Sequence, residues 1–312
     1  MKIDIRHILR SYGILIAFVL IVIIMTILSP VFLTVTNVLN IIRQSSIYGI
    51  IAIGMTFVIL TGGIDLSVGS ILAIAGAIAA GSVKAGVGLG PTILIALGIG
   101  IGCGLVNGTL VTVGRITPFV VTLGMMSIAR GLTLIYTRGY PISGFHPTFR
   151  YLGGGDLIAI PFPIIVFIVT TVLAWLVLTQ TRLGRYTYAI GGNEETVKLS
   201  GINAGVYKTI VYMISGAASA ISALILTSRL NSAEPVAGTG YELDVIAAVV
   251  IGGTSLMGGR GSVWGTLIGA LLIGVINNGM NLLGISPYFQ LVVKGIIIIG
   301  AVLLDRLRQE QA

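Results

Sequence analysis

Three asparagines near the end of the sequence have the type and spacing to bind a small neutral solute. Asn277 and Asn281 are four residues apart and therefore share one face of a helix, with Asn278 beside them. Their amides can exchange hydrogen bonds with solute hydroxyl groups, which apolar and aromatic walls would hold in place without fixed charge. Because amides are costly in lipid, they should point either to a neighbouring helix or into a pathway. The sequence leaves both roles open.

Asp65 and Arg130 are charged residues in or beside apolar runs. Asp65 precedes Leu66-Ser67-Val68, where it can cap a broken helix or face a cavity or a rearranging loop. Arg130 can snorkel, pair with a carboxylate near the end of a run, or line an aqueous cavity. Weaker pathway candidates on the run that contains Arg130 are Thr122, Met125 and Tyr136. The candidate pathway residues are therefore Asp65, Ser67, Thr122, Met125, Asn277, Asn278 and Asn281.

A short capped helix is predicted outside the apolar runs, within a charged segment at 180–207. Asn193 suits the N-cap position, and Glu194 and Glu195 place negative charge on the helix N-terminus. Lys198 comes late in this helix, and Gly201 suits the left-handed position after its end. The helix would have about two turns and little lipid to pack against, so a protein partner is its natural support. A solvated loop is the alternative.

Several kinds of chemistry lack the residues that they need. No Gly-x4-Gly-Lys-[Ser/Thr] phosphate loop occurs, and the nearest sequence, 258–262, lacks both the spacing and the lysine. The apolar runs contain no acidic pair or histidine relay of the kind that ion-coupled carriers usually need. Cys103 is the single cysteine, and the two histidines are far apart, which disfavours a metal site, thiol chemistry and a nucleophile–base pair.

The composition shows what kind of scaffold must position these residues. Hydrophobic residues make up 55% of the 312 residues, the mean hydropathy is +1.06, and charged residues make up only 9%. A soluble domain carries roughly 25% charged residues, because its surface faces water. The sequence therefore predicts an all-α polytopic membrane protein with one transmembrane domain over 1–312. The net charge is +8, and the basic residues lie singly between apolar runs. This distribution is typical of basic loops that set membrane topology and not of a nucleic-acid-binding patch.

About ten transmembrane helices are expected, since a bilayer core of about 30 Å needs roughly 20 apolar residues per helix. Glycines interrupt the third and eighth of these predicted helices, so some helices should be discontinuous. The first run has no small-x-small cleavage site before Ser29-Pro30, and we expect it to be a retained span. The predicted spans are 12–33, 45–61, 66–83, 91–113, 117–136, 161–179, 208–229, 244–257, 263–284 and 288–305.

The distribution of basic residues predicts that both termini are cytoplasmic, because Lys and Arg concentrate in segments that stay inside. With ten spans and the N-terminus inside, eleven basic residues lie in inner segments and five in outer segments. The inner set is Lys2, Arg6, Arg10, Arg115, Arg182, Arg185, Lys198, Lys208, Arg260, Arg306 and Arg308. The outer set is Arg43, Lys84, Arg138, Arg150 and Arg229.

Glycine spacing predicts how some of these helices pack. Small residues four apart let helix backbones approach closely in lipid. The pattern occurs at Gly100, Gly104 and Gly108, at Gly98 and Gly102, and at Gly265 and Gly269. In addition, residues 61–70 resemble residues 251–262, and each stretch follows an apolar run. This echo is typical of duplicated halves with broken helices, although glycine-rich stretches can also coincide by chance.

Several long motifs, in order, resemble the permeases of ribose-type ABC importers. The first two are Leu60-Thr-Gly-Gly-Ile-Asp-Leu-Ser-Val-Gly69 and Leu183-Gly-Arg-Tyr186 with Ala189-Ile-Gly-Gly-Asn-Glu-Glu195 and Leu199-Ser-Gly-Ile202. The others are Ala237-Gly-Thr-Gly-Tyr-Glu-Leu-Asp244 and Gly252-Gly-Thr-Ser-Leu256 with Gly258-Gly259. The resemblance extends over about 12–305.

The resemblance implies a homodimer of permeases in the bacterial cytoplasmic membrane that imports a neutral monosaccharide by alternating access. Two cytoplasmic ATPases would bind ATP and Mg²⁺, so no cofactor is expected in this chain, and a periplasmic or extracellular sugar-binding protein would deliver the sugar. Membrane lipid is expected as a partner and nucleic acid is not. The segment that matches the ATPase-docking helix contains Gly192, Asn193, Glu194, Glu195, Lys198, Leu199, Ser200 and Gly201.

Two other functions stay open at this point. An importer permease of the same class for another small neutral solute, such as a nucleoside or a sugar-like signal molecule, would have a similar scaffold. A stand-alone secondary carrier would belong to a different class, and the capped helix and the absence of coupling acids within the apolar runs disfavour it.

Overall fold

A computed structural model describes residues 5–309, with side chains described for residues 13–300, Val302 and Leu303. The helices are α1 (Ile5–Leu28), α2 (Val35–Leu60), α3 (Val68–Lys84), α4 (Leu89–Thr112), α5 (Pro118–Thr137), α6 (Pro147–Gly154), α7 (Phe162–Gln180), α8 (Arg182–Gly192), α9 (Glu194–Leu199), α10 (Ala204–Leu230), α11 (Tyr241–Ile251), α12 (Val263–Leu282) and α13 (Pro287–Gln309). Four basic residues that the sequence assigns to inner segments lie outside the described side chains, and a fifth lies outside the described residues: Arg6, Arg10, Arg306, Arg308 and Lys2.

Strands are short in the described part of the chain. Strand β1 (Ile142–Ser143) pairs antiparallel with β4 (Ser232–Ala233), and β2 (Asp156–Leu157) pairs antiparallel with β3 (Ile160–Pro161). These two ribbons and α6 lie in the segment between α5 and α7 and in the turn after α10. The chain is therefore an all-α bundle with small ordered caps, as the composition predicts.

Six helices within residues 5–309 are long and apolar enough to cross a membrane, namely α2, α4, α5, α7, α10 and α12. Shorter apolar stretches of 10–17 residues lie in α1, α3 and α13. Helix α11 has 11 residues. At a rise of 1.5 Å per residue it spans about 16 Å, roughly half of a bilayer core.

Each predicted span overlaps a helix, but several predicted boundaries are wrong. The second predicted span begins at Val35 instead of residue 45, because the helix continues through polar residues before its apolar part. Thr34 caps this helix, and its hydroxyl accepts the amide hydrogen of Asn37. The eighth ends at Ile251 instead of 257, since the glycines that follow form turns. The segment at 180–207 is not a loop, because α8 and α9 occupy most of it.

The core of the bundle is built around α2 and α10. Every residue of α2 from 45 to 60 is buried, and α10 packs against α2, α3 and α4. Ser222 of α10 donates to the carbonyl oxygen of Ile47 at 2.7 Å, and Gly54 of α2 faces Ser215 and Ala218. Helices α2 and α10 thus form the scaffold to which the peripheral, more exposed helices attach.

Helix α4 packs on α10 through the predicted face of Gly100, Gly104 and Gly108. A Cβ at Gly100 would overlap the backbone of Gly216, and a Cβ at Gly104 would overlap that of Tyr212 and Met213. The prediction of a close helix contact is confirmed for these three positions and also for Gly269, which lies against Ala248 of α11, and Gly265, which lies against Gly252 at the end of that helix. For Gly98 and Gly102, which lie on the other side of α4, it stays a prediction, because a Cβ at either position would meet nothing within 4 Å in the described part of the single chain.

Two interruptions meet inside the bundle. Residues 61–67 separate α2 from α3, and residues 231–240 separate α10 from α11. They come together where Gly69, at the start of α3, contacts Gly238 so closely that a Cβ at Gly238 would lie 2.6 Å from the carbonyl oxygen of Gly69. Gly238 has φ +71°, in the left-handed region that glycine adopts without strain. Helices α3 and α11 therefore both begin beside this contact, as expected for discontinuous helices.

Candidate coupling and translocation sites

Helix α9 has the caps that the sequence predicts. The side chain of Asn193 accepts the amide hydrogen of Thr196 at 3.0 Å, and Glu194 and Glu195 occupy the first turn. Gly201 follows with φ +78°. The six helical residues give slightly less than two turns at 3.6 residues per turn. The prediction of a short capped helix is confirmed, and the alternative of a solvated loop is wrong.

One apolar side chain anchors α9 to the rest of the bundle. Val197 is buried against Ile190 of α8 and Ala204 of α10, with Ile202 and Tyr207 beside them. Leu199, in contrast, is 87% exposed at the end of the helix. Helix α9 is therefore fixed on one face and presents its other face, with an uncovered leucine, away from the bundle.

Charged residues reinforce this anchor. Lys208 of α10 donates to Glu194 at 2.9 Å, and Lys198 lies 3.1 Å from both Glu194 and Glu195. Partial burial by itself would raise the pKa of Glu194, but the hydrogen bonds and charges of Lys208 and Lys198 outweigh it and lower that pKa below its ordinary value. The ionised carboxylate of Glu194 thus links α9 to α10 at neutral pH.

A cleft of about 730 Å³ opens beside α9. The end of α4, the turn that leads into the start of α5, and the start of α10 form its walls. Its charged lining residues are Arg115, Glu194, Lys198 and Lys208. The net charge of these four side chains is positive. The surface around α9 is thus concave and basic as well as partly apolar, which suits contact with another protein.

Asp65 lies at the centre of a buried polar cluster. Its carboxylate accepts hydrogen bonds from the amide and hydroxyl of Ser67 and from the hydroxyl of Ser215 at 2.9 Å. Asn107 of α4 donates to the hydroxyl oxygen of Ser67 at 2.9 Å. The N-cap position of α3 belongs to Ser67, so the expectation that Asp65 caps this helix needs correction. Asp65 instead orders the turn just before α3 and connects it to α10.

Two further pathway candidates, Thr122 and Met125, are buried residues of α5, a helix that packs against α3 and α4. The hydroxyl of Thr122 lies 2.9 Å from the carbonyl oxygen of Pro118 and 3.3 Å from that of Ile64. The structure therefore brings Thr122 close to the turn that contains Asp65 and Ser67. Asp65, Ser67 and Thr122 are fully buried in the single chain, and Met125 is nearly so. A role in transport stays a prediction for all four.

The three asparagines of α12 have three different environments. Asn278 exchanges two hydrogen bonds with Asn37 of α2, at 2.9 and 3.0 Å, and so joins two helices. Asn281 accepts a hydrogen bond from Gln290 of α13 at 2.9 Å. The side-chain oxygen of Asn277 is buried and has no hydrogen-bond partner among the described residues. Of the three, only Asn277 therefore has a buried polar side-chain atom without a hydrogen-bond partner in the described part of the chain.

Asn277, Asn278 and Asn281 lie at the opposite end of the bundle from α9. Asn37 stands near the start of α2, whereas Leu60 ends it, and Leu60 accepts a backbone hydrogen bond from Gly259 close to α8. The seven pathway candidates thus form two groups, one around Asp65 and one at the far end of α12. The sequence grouped them by residue type alone, and the structure does not bring the two groups together.

Arg130 takes a position that the sequence did not anticipate. Its guanidinium donates to the carbonyl oxygens of Pro235 and Ala237, at 2.8 and 2.9 Å. Arg130 therefore binds the backbone of the segment at 231–240, which separates α10 from α11. The expected choices of snorkelling, carboxylate pairing and cavity lining did not include this backbone contact.

Other polar contacts were missed, although the residue types gave a signal. Lys294 of α13 pairs with the nearly buried Asp244 of α11 at 2.8 Å, and Asn107 and Ser215 complete the cluster around Asp65. Polar side chains inside apolar runs usually face other helices, and that rule would have marked all four. Within the described residues, no three His, Cys, Asp or Glu side chains form a group that could hold a metal ion.

This fold and these sites define a polytopic all-α membrane protein of the transporter class. Interrupted helices meet inside the bundle, and a capped helix with an uncovered surface stands at one end. The chain belongs to the family described as the branched-chain amino acid transport system / permease component, whose model matches residues 37–302. It is a multi-pass protein of the bacterial cytoplasmic membrane and serves as a transport subunit.

Similar proteins cover almost the whole chain. The ribose import permease protein RbsC of Bacillus subtilis is 52% identical over 307 residues, which is 98% of this chain and 95% of that protein. The ribose import permease protein RbsC of Escherichia coli K12 is 48% identical, over 95% and 93% of the two chains. The D-allose transport system permease protein AlsC of the same strain is 42% identical, over 95% and 92%. No solved structure matches the chain.

Proposed function

We propose that this chain is the membrane permease of an ATP-driven importer that moves ribose or a similar neutral monosaccharide by alternating access. The observation that carries the proposal is the 52% identity to a ribose import permease over 98% of the chain. The related D-allose permease, at 42% identity, supports a sugar as the substrate class. The sugar passes through unchanged, and the chain carries no catalytic residue.

The proposed arrangement in the membrane has ten spans and both termini in the cytoplasm. The helix α11 then runs through only part of the bilayer, and the segment at 231–240 enters from the outer side. The whole of 1–312 forms one transmembrane domain. Two copies of the chain assemble as a homodimer surrounded by lipid, and a periplasmic or extracellular sugar-binding protein delivers the sugar to the outer face.

Energy enters through α9 in this proposal. A cytoplasmic ATPase holds ATP and Mg²⁺ and receives the exposed face of α9, including Glu195 and Leu199, while this chain holds no cofactor. Three features support the docking role: the anchored inner face, the uncovered Leu199 and the basic cleft of about 730 Å³ beside the helix. An anchored helix transmits force to the bundle, whereas a free loop would absorb it.

For the translocation pathway, the structure favours Asn277 over its neighbours as the first residue to test. Buried polar atoms are almost always hydrogen-bonded, so the unpaired oxygen of Asn277 suits a contact with a solute or with the second permease. Asn278 acts as interhelical support through Asn37. The cluster around Asp65 orders a helix break that must rearrange when access alternates.

Reconstitution tests the proposal as a whole. The permease and its ATPase are reconstituted in proteoliposomes together with the binding protein. Uptake of labelled ribose is then measured with and without ATP on the side of the membrane that carries the ATPase. We expect ATP-dependent uptake that needs all three proteins, with D-allose as a weaker competitor. Uptake by the permease alone along an ion gradient would establish a secondary carrier instead. Uptake of a nucleoside but of no sugar would show that the substrate class is nucleosides and not sugars.

A further inference from the structure

Three glycine-rich segments meet at the end of the bundle that carries α9. Gly191 lies in the last turn of α8, Gly258 and Gly259 lie between α11 and α12, and Leu60 is the last residue of α2. The amide of Gly259 donates to the carbonyl oxygen of Leu60 at 2.9 Å. These four residues are called the glycine joint below. The joint brings together the two stretches, 61–70 and 251–262, whose sequences resemble each other.

Backbone atoms make the contacts of the glycine joint. A Cβ at Gly191 would overlap the carbonyl oxygen of Leu60 and the amide nitrogen of Gly259. A Cβ at Gly258 would lie 2.9 Å from the Cα of Gly191. Side chains can change rotamer to absorb a small displacement, but touching backbones cannot. A shift of α8 must therefore move the end of α2 and the 252–262 segment with it.

Tyr188 adds a second connection beside the joint. Its hydroxyl donates to the carbonyl oxygen of Gly261 at 2.9 Å. Tyr188 precedes Gly191 by three residues and so shares its face of α8. The hydrogen bond joins α8 to the same segment between α11 and α12 that holds Gly258 and Gly259. The last two turns of α8 are thus attached to this segment at two points.

The position of the joint relates it to the proposed docking helix. Gly191 is two residues before Asn193, the N-cap of α9, so no flexible linker separates them. On the other side, Leu60 leads directly into the interruption that contains Asp65, and residues 252–262 lead into α12. We propose that the glycine joint and Tyr188 transmit the movement of the docked α9 to the helix interruptions, so that ATP hydrolysis opens and closes the pathway.

This inference rests on the proposed function, since it assumes an ATPase that moves α9. Tyr188 and Gly191 act as positioning residues and contact neither sugar nor nucleotide in this proposal. Gly98 of α4 offers a matched control for an alanine substitution at Gly191. A Cβ at Gly98 would meet nothing within 4 Å in the described part of the chain, and Gly98 lies outside the proposed docking segment. Both glycines are helical, and alanine at either position gains helix propensity.

The experiment compares four full complexes in proteoliposomes: the wild type, Gly191→Ala, Gly98→Ala and Tyr188→Phe. Sugar uptake and ATP hydrolysis are measured on each, and their ratio is the coupling efficiency. We expect Gly98→Ala to match the wild type. Tyr188→Phe should hydrolyse ATP at close to the wild-type rate while uptake per ATP falls at least about fivefold, the lower range of typical coupling effects between sites. Gly191→Ala should lower the ratio further.

Tyr188→Phe removes one oxygen and keeps the ring, so it decides the matter if Gly191→Ala fails to assemble. Wild-type uptake per ATP in Tyr188→Phe would overturn the role of the joint while leaving the proposed function intact. A loss of uptake that only parallels a loss of assembled complex would also overturn it, because that result indicates structural support alone. A wild-type complex without ATP-dependent sugar uptake would overturn the proposed function itself, and the joint with it.

Discussion

At the residue scale, neighbouring asparagines of one helix have separate roles. Asn278 is paired with Asn37, whereas the oxygen of Asn277 is buried without a partner among the described residues. Replacing one member of a buried hydrogen-bonded pair strands the other, which costs about 1–3 kcal/mol in water-soluble proteins and less in membrane proteins. Chemically identical substitutions at these adjacent positions should therefore have different effects.

We expect Asn278→Leu to lower the melting temperature of the purified permease and Asn277→Leu to leave it nearly unchanged. Uptake should fall in Asn277→Leu with assembly intact. The double variant Asn37→Leu/Asn278→Leu, which leaves no stranded amide, should recover part of the stability. Loss of assembly in Asn277→Leu would show instead that this amide supports a helix contact.

The ion pair between Glu194 and Lys208 predicts a pH dependence. Because the pKa of Glu194 lies below its ordinary value in the folded chain, its contribution to stability is complete above the ordinary glutamate pKa and is lost as the pH falls through the lowered value. The attachment of α9 should therefore be independent of pH near neutrality and weaken only in acid. Hydrogen exchange of the α9 amides, followed at decreasing pH, measures this.

Lys208→Met should make the attachment of α9 weaken at a higher pH. Burial raises the pKa of Glu194, and in this variant only Lys198 remains to lower it. Lys198→Met is the comparison, and its effect should be smaller because Lys198 is half exposed and solvent screens its charge. Equal exchange protection in the two variants at every pH would contradict the assignment of Lys208 as the main partner.

At the element scale, the two glycine faces of α4 differ in what they contact. Gly104 lies against the backbone of α10, whereas a Cβ at Gly102 would meet nothing within 4 Å in the described part of the chain. Both positions have the same i, i+4 spacing, so periodicity alone could not distinguish them. The twist of the helix places one face inside the bundle, and only the position of α10 determines which face that is.

We expect Gly104→Ala to destabilise the permease by about 1–3 kcal/mol, the usual cost of inserting a methyl group into a tight contact. Gly102→Ala should be neutral or slightly stabilising, since alanine favours the helix. Thermal unfolding in detergent measures both. An equal loss for Gly102→Ala in the assembled complex, but not in the single chain, would show that this second face packs against another subunit.

At the scale of the whole molecule, the proposed mechanism separates the site that uses ATP from the bundle that moves the sugar. Replacing residues 193–200 by a flexible linker, or reversing the charge in Glu195→Lys, should uncouple ATP hydrolysis from uptake while the spans still fold. The side chain of Glu195 is 79% exposed, so its reversal changes the docking surface more than the fold. Glu195→Gln should have a smaller effect.

The measurement is co-purification of the ATPase together with sugar uptake. Unchanged uptake and unchanged co-purification in both the linker variant and Glu195→Lys would refute the docking role of α9. A linker variant that no longer folds would show as a loss of the monodisperse permease, and Glu195→Lys then provides the test by itself.

The sequence by itself determined the features that depend on neighbouring residues. The caps of α9 lie within nine residues, from Asn193 to Gly201, and the apolar runs reveal helices because length and composition are local properties. A close contact through glycines of α4 was predictable for the same reason, but not which of its two glycine faces makes it. The family resemblance was readable from long ordered motifs, and the comparisons bear it out.

Only the tertiary structure decided which distant residues meet. Ser215 binds Asp65 across 150 positions of sequence, Asn37 pairs with Asn278 across 241, and Leu60, Gly191 and Gly259 converge on one joint. No local spacing encodes these partners, because each depends on how several helices pack at once. The polar residues at 277, 278 and 281 looked alike in sequence, and their separate environments follow from the helices that surround them.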